Sequence, residues 1–221
     1  VWKKSTLEEF DIAGSILRNM KKSIIALALM TCCTFASETL SVQSVYSIGT
    51  AGDHLKNQAG NNYSPKNMVD GDTKTAWALP YHSGEVILQF SLKKQAKVLE
   101  HLIIHNGYEK SEKRFYQNSR ANKIGIYVNG IDKKNLVTEW ALANIMGPQK
   151  VILGAKDVDA VFIRVHSVYP GSTWPDLCIS EVKLVGVSSN KKAQEFEPED
   201  WEKALEGRLD IAMPQKLVLN A

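Results

Sequence analysis

Val161-Phe162-Ile163-Arg164-Val165-His166 alternates strictly, so that Val161, Ile163 and Val165 fall on one face of an extended chain and Phe162, Arg164 and His166 on the other. A run of this kind packs one face and leaves the other at least partly wet, which predicts a strand in a packed sheet. The run widens to residues 160–168, and comparable β-branched and aromatic runs occur at residues 42–48, 85–92, 98–105, 123–128, 136–141, 149–152 and 178–185. Gly, Asn, Asp and Pro separate them at the spacing of an all-β sandwich. No long amphipathic helices intervene, which argues against a parallel α/β sheet, and no repeat of solenoid or propeller length is visible. Eight short strands predict a jelly-roll β-sandwich over residues 40–187.

The chain has 221 residues, 44% of them hydrophobic, enough for one well-buried domain with appendages. Its 27 Lys+Arg and 24 Asp+Glu give a formal charge of +3 and are spread along the whole sequence. Nucleic-acid binders concentrate their basic residues on one face, so no nucleic-acid partner is expected. Met20-Lys21-Lys22 is a basic start, residues 23–33 are largely apolar, and Thr34-Phe35-Ala36 offers a small-x-small cleavage site before Ser37. Residues 20–36 therefore read as a secretory signal peptide, too short in its apolar part to span a bilayer, which takes about 20 residues. Residues 1–19 read as an upstream extension, with Met20 as the expected start. Export predicts a periplasmic or extracellular protein. Cys32 resembles a lipoprotein acceptor poorly, since Thr31 precedes it and Cys33 follows. Cys178 is then the one cysteine of the mature chain, which leaves no internal disulfide framework.

Residues 49–80 hold few strand formers and many Asn, Gly, Asp, Ser and Lys, so an extended loop region is expected there. Ser188-Ser189-Asn190-Lys191-Lys192 reads as a linker, and residues 188–221 as a tail with a short helix at 198–206 that carries Trp201 and Leu205 on one face.

Tyr63-Ser64-Pro65-Lys66-Asn67-Met68-Val69-Asp70-Gly71-Asp72-Thr73-Lys74-Thr75-Ala76-Trp77 resembles the first signature of discoidin, or coagulation-factor type C, domains. Asn106-Gly107-Tyr108-Glu109-Lys110-Ser111, Tyr116-Gln117-Asn118-Ser119-Arg120 and Asp176-Leu177-Cys178-Ile179-Ser180-Glu181-Val182 follow in the order of one branch of that galactose-binding-like superfamily. That branch is the translocation domain first named from secreted bacterial NAD glycohydrolase toxins. The resemblance implies a delivery and binding part, since a separate domain cleaves NAD in such toxins, and the family name carries no activity with it.

Asp70-Gly71-Asp72 and Thr75 set hard oxygen ligands within one tight turn, and Gly71 lets the backbone curl so that carbonyls also point inward, as Ca²⁺ requires. Glu181 is positioned by the resemblance to complete a structural calcium site, because galactose-binding-like domains similar to this one hold Ca²⁺ between an early Asp loop and a Glu of the last strand. The other reading of the same residues is an Asp-rich turn whose carboxylates cap local N–H groups.

Trp77, Tyr81, Tyr108, Tyr116, Tyr169 and Trp174 fall in or beside expected loops, with Lys110, Asn118 and Arg120. Sugars present C–H faces to aromatic rings and hydroxyls to amide and guanidinium donors, so the mixture suits a glycan or another polar cell-surface ligand. The residues expected to hold it are Tyr108, Lys110, Tyr116, Asn118, Arg120 and Trp174, the bases favouring an anionic sugar or phosphate. Arg120 paired with a nearby carboxylate is the structural alternative, and Trp77 is expected to pack in the core.

Catalysis finds little support. No Gly-x-Ser-x-Gly elbow, His-Glu-x-x-His helix or phosphate-cradling glycine loop is present. Cys178 sits in an expected strand as a small hydrophobe, and Glu109 with Glu112, or Asp157 with Asp159, form hydrolase pairs by sequence proximity alone. The reading is a non-catalytic binding module. The alternative is an envelope or adaptor protein that engages a protein partner through the sandwich and the tail around Trp201, Leu205 and Leu209.

Overall fold

The computed structural model describes residues 36–195 except 50, 51, 53, 59, 82 and 83. The expected upstream extension, nearly all of the export signal, and the tail helix lie outside the described residues. Within them the chain forms β1 (Glu38–Thr39), β2 (Val42–Gly49), β3 (Trp77–Pro80), β4 (Val86–Asn106), α1 (Glu112–Gln117), β5 (Arg120–Val128), β6 (Leu136–Ala141), β7 (Pro148–Tyr169) and β8 (Asp176–Lys192). All strand pairs are antiparallel, in the order β1-β8-β4-β7-β5-β6, with β2 added to β4 and β3 added to β8.

The expected runs 85–92 and 98–105 are one strand, β4, and 149–152 and 160–168 are one strand, β7. Lys93, Lys94, Gln95 and Lys97 read as a break because they are polar, yet the backbone stays extended there and bends through a register shift between Ser91 and Ala96. Before the bend β4 pairs with β2 and the second half of β7; after it, with β8 and the first half of β7. The two halves thus belong to the two layers of a β-sandwich.

The core lies between them. Val161, Ile163 and Val165 join Leu88, Phe90, Ile124 and Ile126 from one set of pairings and Leu102, Ile104, Ile179 and Leu184 from the other. The opposite face of the 161–166 run is drier than expected, because Phe162 is buried in a second cluster with Ile87, Tyr127, Ile131 and Ala160. Arg164 on that face donates from Nε to Glu85 at 2.8 Å.

Trp77 is fully buried and its indole N–H donates to Ser47 Oγ at 2.9 Å, which satisfies the ring's single polar atom. Removing a ring so placed costs about 3–5 kcal/mol. β3, which begins at Trp77, interrupts the expected loop at 49–80, as does a 3-10 turn at Pro65–Val69. The expected linker at 188–192 is instead the end of β8; Lys192 pairs with Lys94, and Ala193 is buried against the core.

Candidate functional site

Residues 106–122, which supply five of the six expected ligand residues, contain α1. Ser111 caps it by accepting from the Arg114 N–H at 3.2 Å, Glu112 favours its first turn, and Phe115 anchors it in the interior. Asn118 ends it, its side-chain amide donating to the Arg114 carbonyl at 2.8 Å.

Arg120 holds this segment together from behind. It is 3% exposed. Its Nε donates to Asn144 Oδ1 at 3.0 Å, Nη1 to the carbonyls of Phe115, Tyr116 and Asn118, and Nη2 to that of Pro170. The guanidinium also lies 5.2 Å from the centre of the Phe115 ring and 5.7 Å from that of Tyr116. Burial pulls its pKa below the usual arginine value. Arg120 was expected to touch ligand, or else to pair with a carboxylate; the structure corrects both, because its donors are engaged by main-chain carbonyls and one amide behind the surface.

In front of this segment lies a cavity of about 260 Å³ whose wall includes Asn61, Tyr63, Tyr108, Lys110, Arg114, Asn118, Trp174 and Asp176. Of the six expected ligand residues, Tyr108, Lys110, Asn118 and Trp174 meet here. Tyr116 is 44% exposed and sits outside the cavity wall. Tyr63 and Tyr108 meet edge to face at 6.3 Å, and burial raises both phenol pKa values, so each keeps a hydroxyl proton to donate at neutral pH. Lys110 Nζ reaches Asn61 Oδ1 at 3.4 Å. The Arg114 side chain is exposed, lines the cavity and has no hydrogen bond or ion pair among the described residues.

Sequence reasoning missed Asn61 and Tyr63, which arrive from the 49–80 region, and it missed Arg114. The capping pattern at Ser111, a helix-start signal, was the clue that would have placed Arg114 on a helix end.

Trp174 borders a second, shallower depression of about 440 Å³, with Tyr81, Pro170, Gly171, Ser172 and Thr173. Its loop is rigidly held. Ser172 N–H donates to the Tyr116 carbonyl at 3.0 Å, Trp174 N–H to that of Gln117 at 2.8 Å, and Gly171 N–H to Ser119 Oγ at 3.1 Å. Gly171 allows this approach, since a Cβ there would run into the carbonyls of Trp174 and Gln117.

Asp70, Asp72 and Thr75 share one turn, and Glu181 reaches that turn at Gly71. Glu181 is 3% exposed and accepts from the Gly71 N–H at 3.0 Å; Gly71 has φ +82°, which glycine adopts freely. Asp70 accepts from the Asp72 N–H at 2.9 Å and the Thr75 hydroxyl at 2.8 Å, and Asp72 from the Lys74 N–H at 2.9 Å. Burial, with Asp70 beside it, pushes the Glu181 carboxyl above its usual range despite the Gly71 bond. The turn therefore caps itself, and among the described residues no three His, Cys, Asp or Glu side chains are gathered to hold a metal ion. The donor set nevertheless fits a hard cation in kind, being entirely of oxygen and containing a buried carboxylate near a second one.

Cys178 is a structural thiol, buried and with its pKa driven far up by that burial. Glu109 is engaged on both oxygens, 2.7 Å from His105 Nδ1 and accepting from the Gly147 N–H at 2.7 Å, and so ties two loops together.

No helix among the described residues is long and apolar enough to cross a membrane. The model of the NAD glycohydrolase translocation F5/8 type C domain matches residues 42–185. No curated protein matches the sequence. Similar solved structures include a CBM32 domain from Clostridium perfringens in complex with GalNAc-β-1,3-galactose, at 12% identity and TM-score 0.50, covering 66% of this chain and 99% of that one. An F5/8 type C domain from Bacteroides fragilis aligns at 14% identity and TM-score 0.48 over 68% of this chain and 99% of its own. A pectin-binding carbohydrate-binding module aligns at 18% and 0.45 over 72% and 100%. At 12% identity the likeness to the Clostridium perfringens domain is one of fold.

Proposed function

The chain belongs to the NAD glycohydrolase translocation F5/8 type C domain family, and from that premise we propose that it is an exported, non-catalytic module that binds a glycan in the cavity in front of α1. The observation that carries this reading is the composition of the cavity wall: the aromatic surfaces of Tyr63, Tyr108 and Trp174 stand beside the amides of Asn61 and Asn118 and the cations Lys110 and Arg114. Rings take the C–H face of a sugar while amides and phenols take its hydroxyls. The free Arg114 guanidinium and Lys110 favour a sugar that carries a carboxylate or another anionic group. The disaccharide in complex with the Clostridium perfringens neighbour supports a saccharide as something this fold accommodates.

Calcium belongs to the same proposal. Asp70, Asp72, Thr75 and Glu181 would hold it, and its charge would offset that of Asp70 and Glu181 and tie the turn to β8.

A glycan array screened with the purified chain tests the reading, with Trp174→Ala and Arg114→Gln as controls. Reproducible binding that both substitutions weaken supports it. A blank array from folded protein overturns it, as does binding that neither substitution touches.

A further inference from the structure

We infer that Trp174 is the shared wall of two adjacent subsites, so that the ligand is an oligosaccharide of two or more units laid across the indole. The inference rests on the glycan reading and deepens it. Trp174 lines both the cavity in front of α1 and the depression beyond it, and among the described residues no other does so. It is 47% exposed, a large apolar surface left in water. A single exposed apolar residue is ordinary; what sets this one apart is how it is held.

Its loop is stapled to the end of α1 by three main-chain bonds, from Ser172, Thr173 and Trp174 to Tyr116 and Gln117, and by the Arg120 bond to Pro170. The ring is thereby presented on a fixed backbone, and little order has to be imposed there on binding. The near side offers Lys110 and Arg114, which suit an anionic unit. The far side offers Tyr81, Pro170, Ser172 and Thr173, an uncharged surface with three hydroxyls that suits a neutral part of the chain. Trp174 is thus a binding residue for both units, and the difference in charge across it gives the ligand a direction.

The experiment is a length series. Oligogalacturonate, oligomannuronate, cello-oligosaccharide and galacto-oligosaccharide, each from one to four units, are titrated into the full chain by calorimetry and compared with Ser172→Phe, which fills the far depression. Affinity for at least one series is expected to rise about tenfold or more between one unit and three. Ser172→Phe is expected to erase that rise while its thermal melting stays that of the parent. Binding that is independent of length, or a length dependence that survives Ser172→Phe in a folded variant, overturns the second subsite and leaves the glycan reading standing. Failure of every series to bind overturns both.

Discussion

Arg120 and Asn144 are joined by a hydrogen bond of 3.0 Å from guanidinium to amide, which fastens the start of β5 to the loop after β6. With the four main-chain carbonyls that the same side chain serves, it makes Arg120 the organiser of the cavity's back wall. Replacing it by alanine strands those carbonyls in a buried place, so Arg120→Ala is expected to cost about 2–4 kcal/mol in urea denaturation. Arg120→Lys is expected to recover little of this, because one ammonium cannot reproduce the planar fork. A loss below about 0.5 kcal/mol, the size of an ordinary surface substitution, contradicts the assignment.

Arg114 stands on the other side of the wall. Arg114→Gln keeps the helix position and removes the charge, so binding of carboxylated glycans is expected to weaken about tenfold or more while neutral ones change little. Equal losses for both classes assign Arg114 a structural role.

The turn at Asp70 predicts a response to calcium. Chelator-treated protein titrated with Ca²⁺ is expected to gain roughly 1–3 kcal/mol once the ion is in excess of a dissociation constant of about 10⁻⁴–10⁻³ M. Glu181→Gln still accepts from Gly71 but lacks the charge, and is expected to lose the gain. A melting temperature indifferent to calcium identifies the turn as one that only caps itself.

Acid should weaken the fold through two histidines. Burial, aided by Arg164 and Lys123 and opposed by Glu139 and Glu85, holds His166 below its ordinary pKa. Burial and Lys150, opposed by Glu100, do the same for His101. A folded-state pKa below the unfolded one means that the native protein binds fewer protons, so the contribution is complete above about pH 6.5 and is lost as pH falls through the lowered values. Melting curves between about pH 7 and pH 5 should show this decline, and His166→Gln should flatten part of it. An unchanged slope assigns the acid sensitivity elsewhere.

Strand identity was legible because burial writes itself into period two: the 161–166 run places its residues on the faces that the alternation implies. Continuity was not. Polar residues at 93–97 look the same whether a strand ends or merely bends at an edge, and β4 bends. The cavity was half legible. Tyr108, Lys110, Asn118 and Trp174 were visible as polar and aromatic loop residues, whereas Arg120 has the same chemistry and the opposite role. Only a long-range contact, with Asn144 and Pro170, distinguishes an arginine that supports a wall from one that faces a ligand. Asn61 and Tyr63 were hidden for the same reason, since their neighbours in space lie about 50 residues away in sequence.

β1 lies alongside the far part of β8, Glu38 opposite Gly186, while Asp176 at the beginning of β8 belongs to the cavity wall. Ten residues of extended chain separate those points, about 30 Å. The β1–β8 pairing and the cavity therefore lie at opposite ends of β8. Within the described residues the first strand of the sandwich and the late part of its last strand are thus neighbours at the end away from the cavity. Tension applied through both ends would open the β1–β8 pairing from its edge, one bond at a time, while the loops around Trp174 stay out of the line of force.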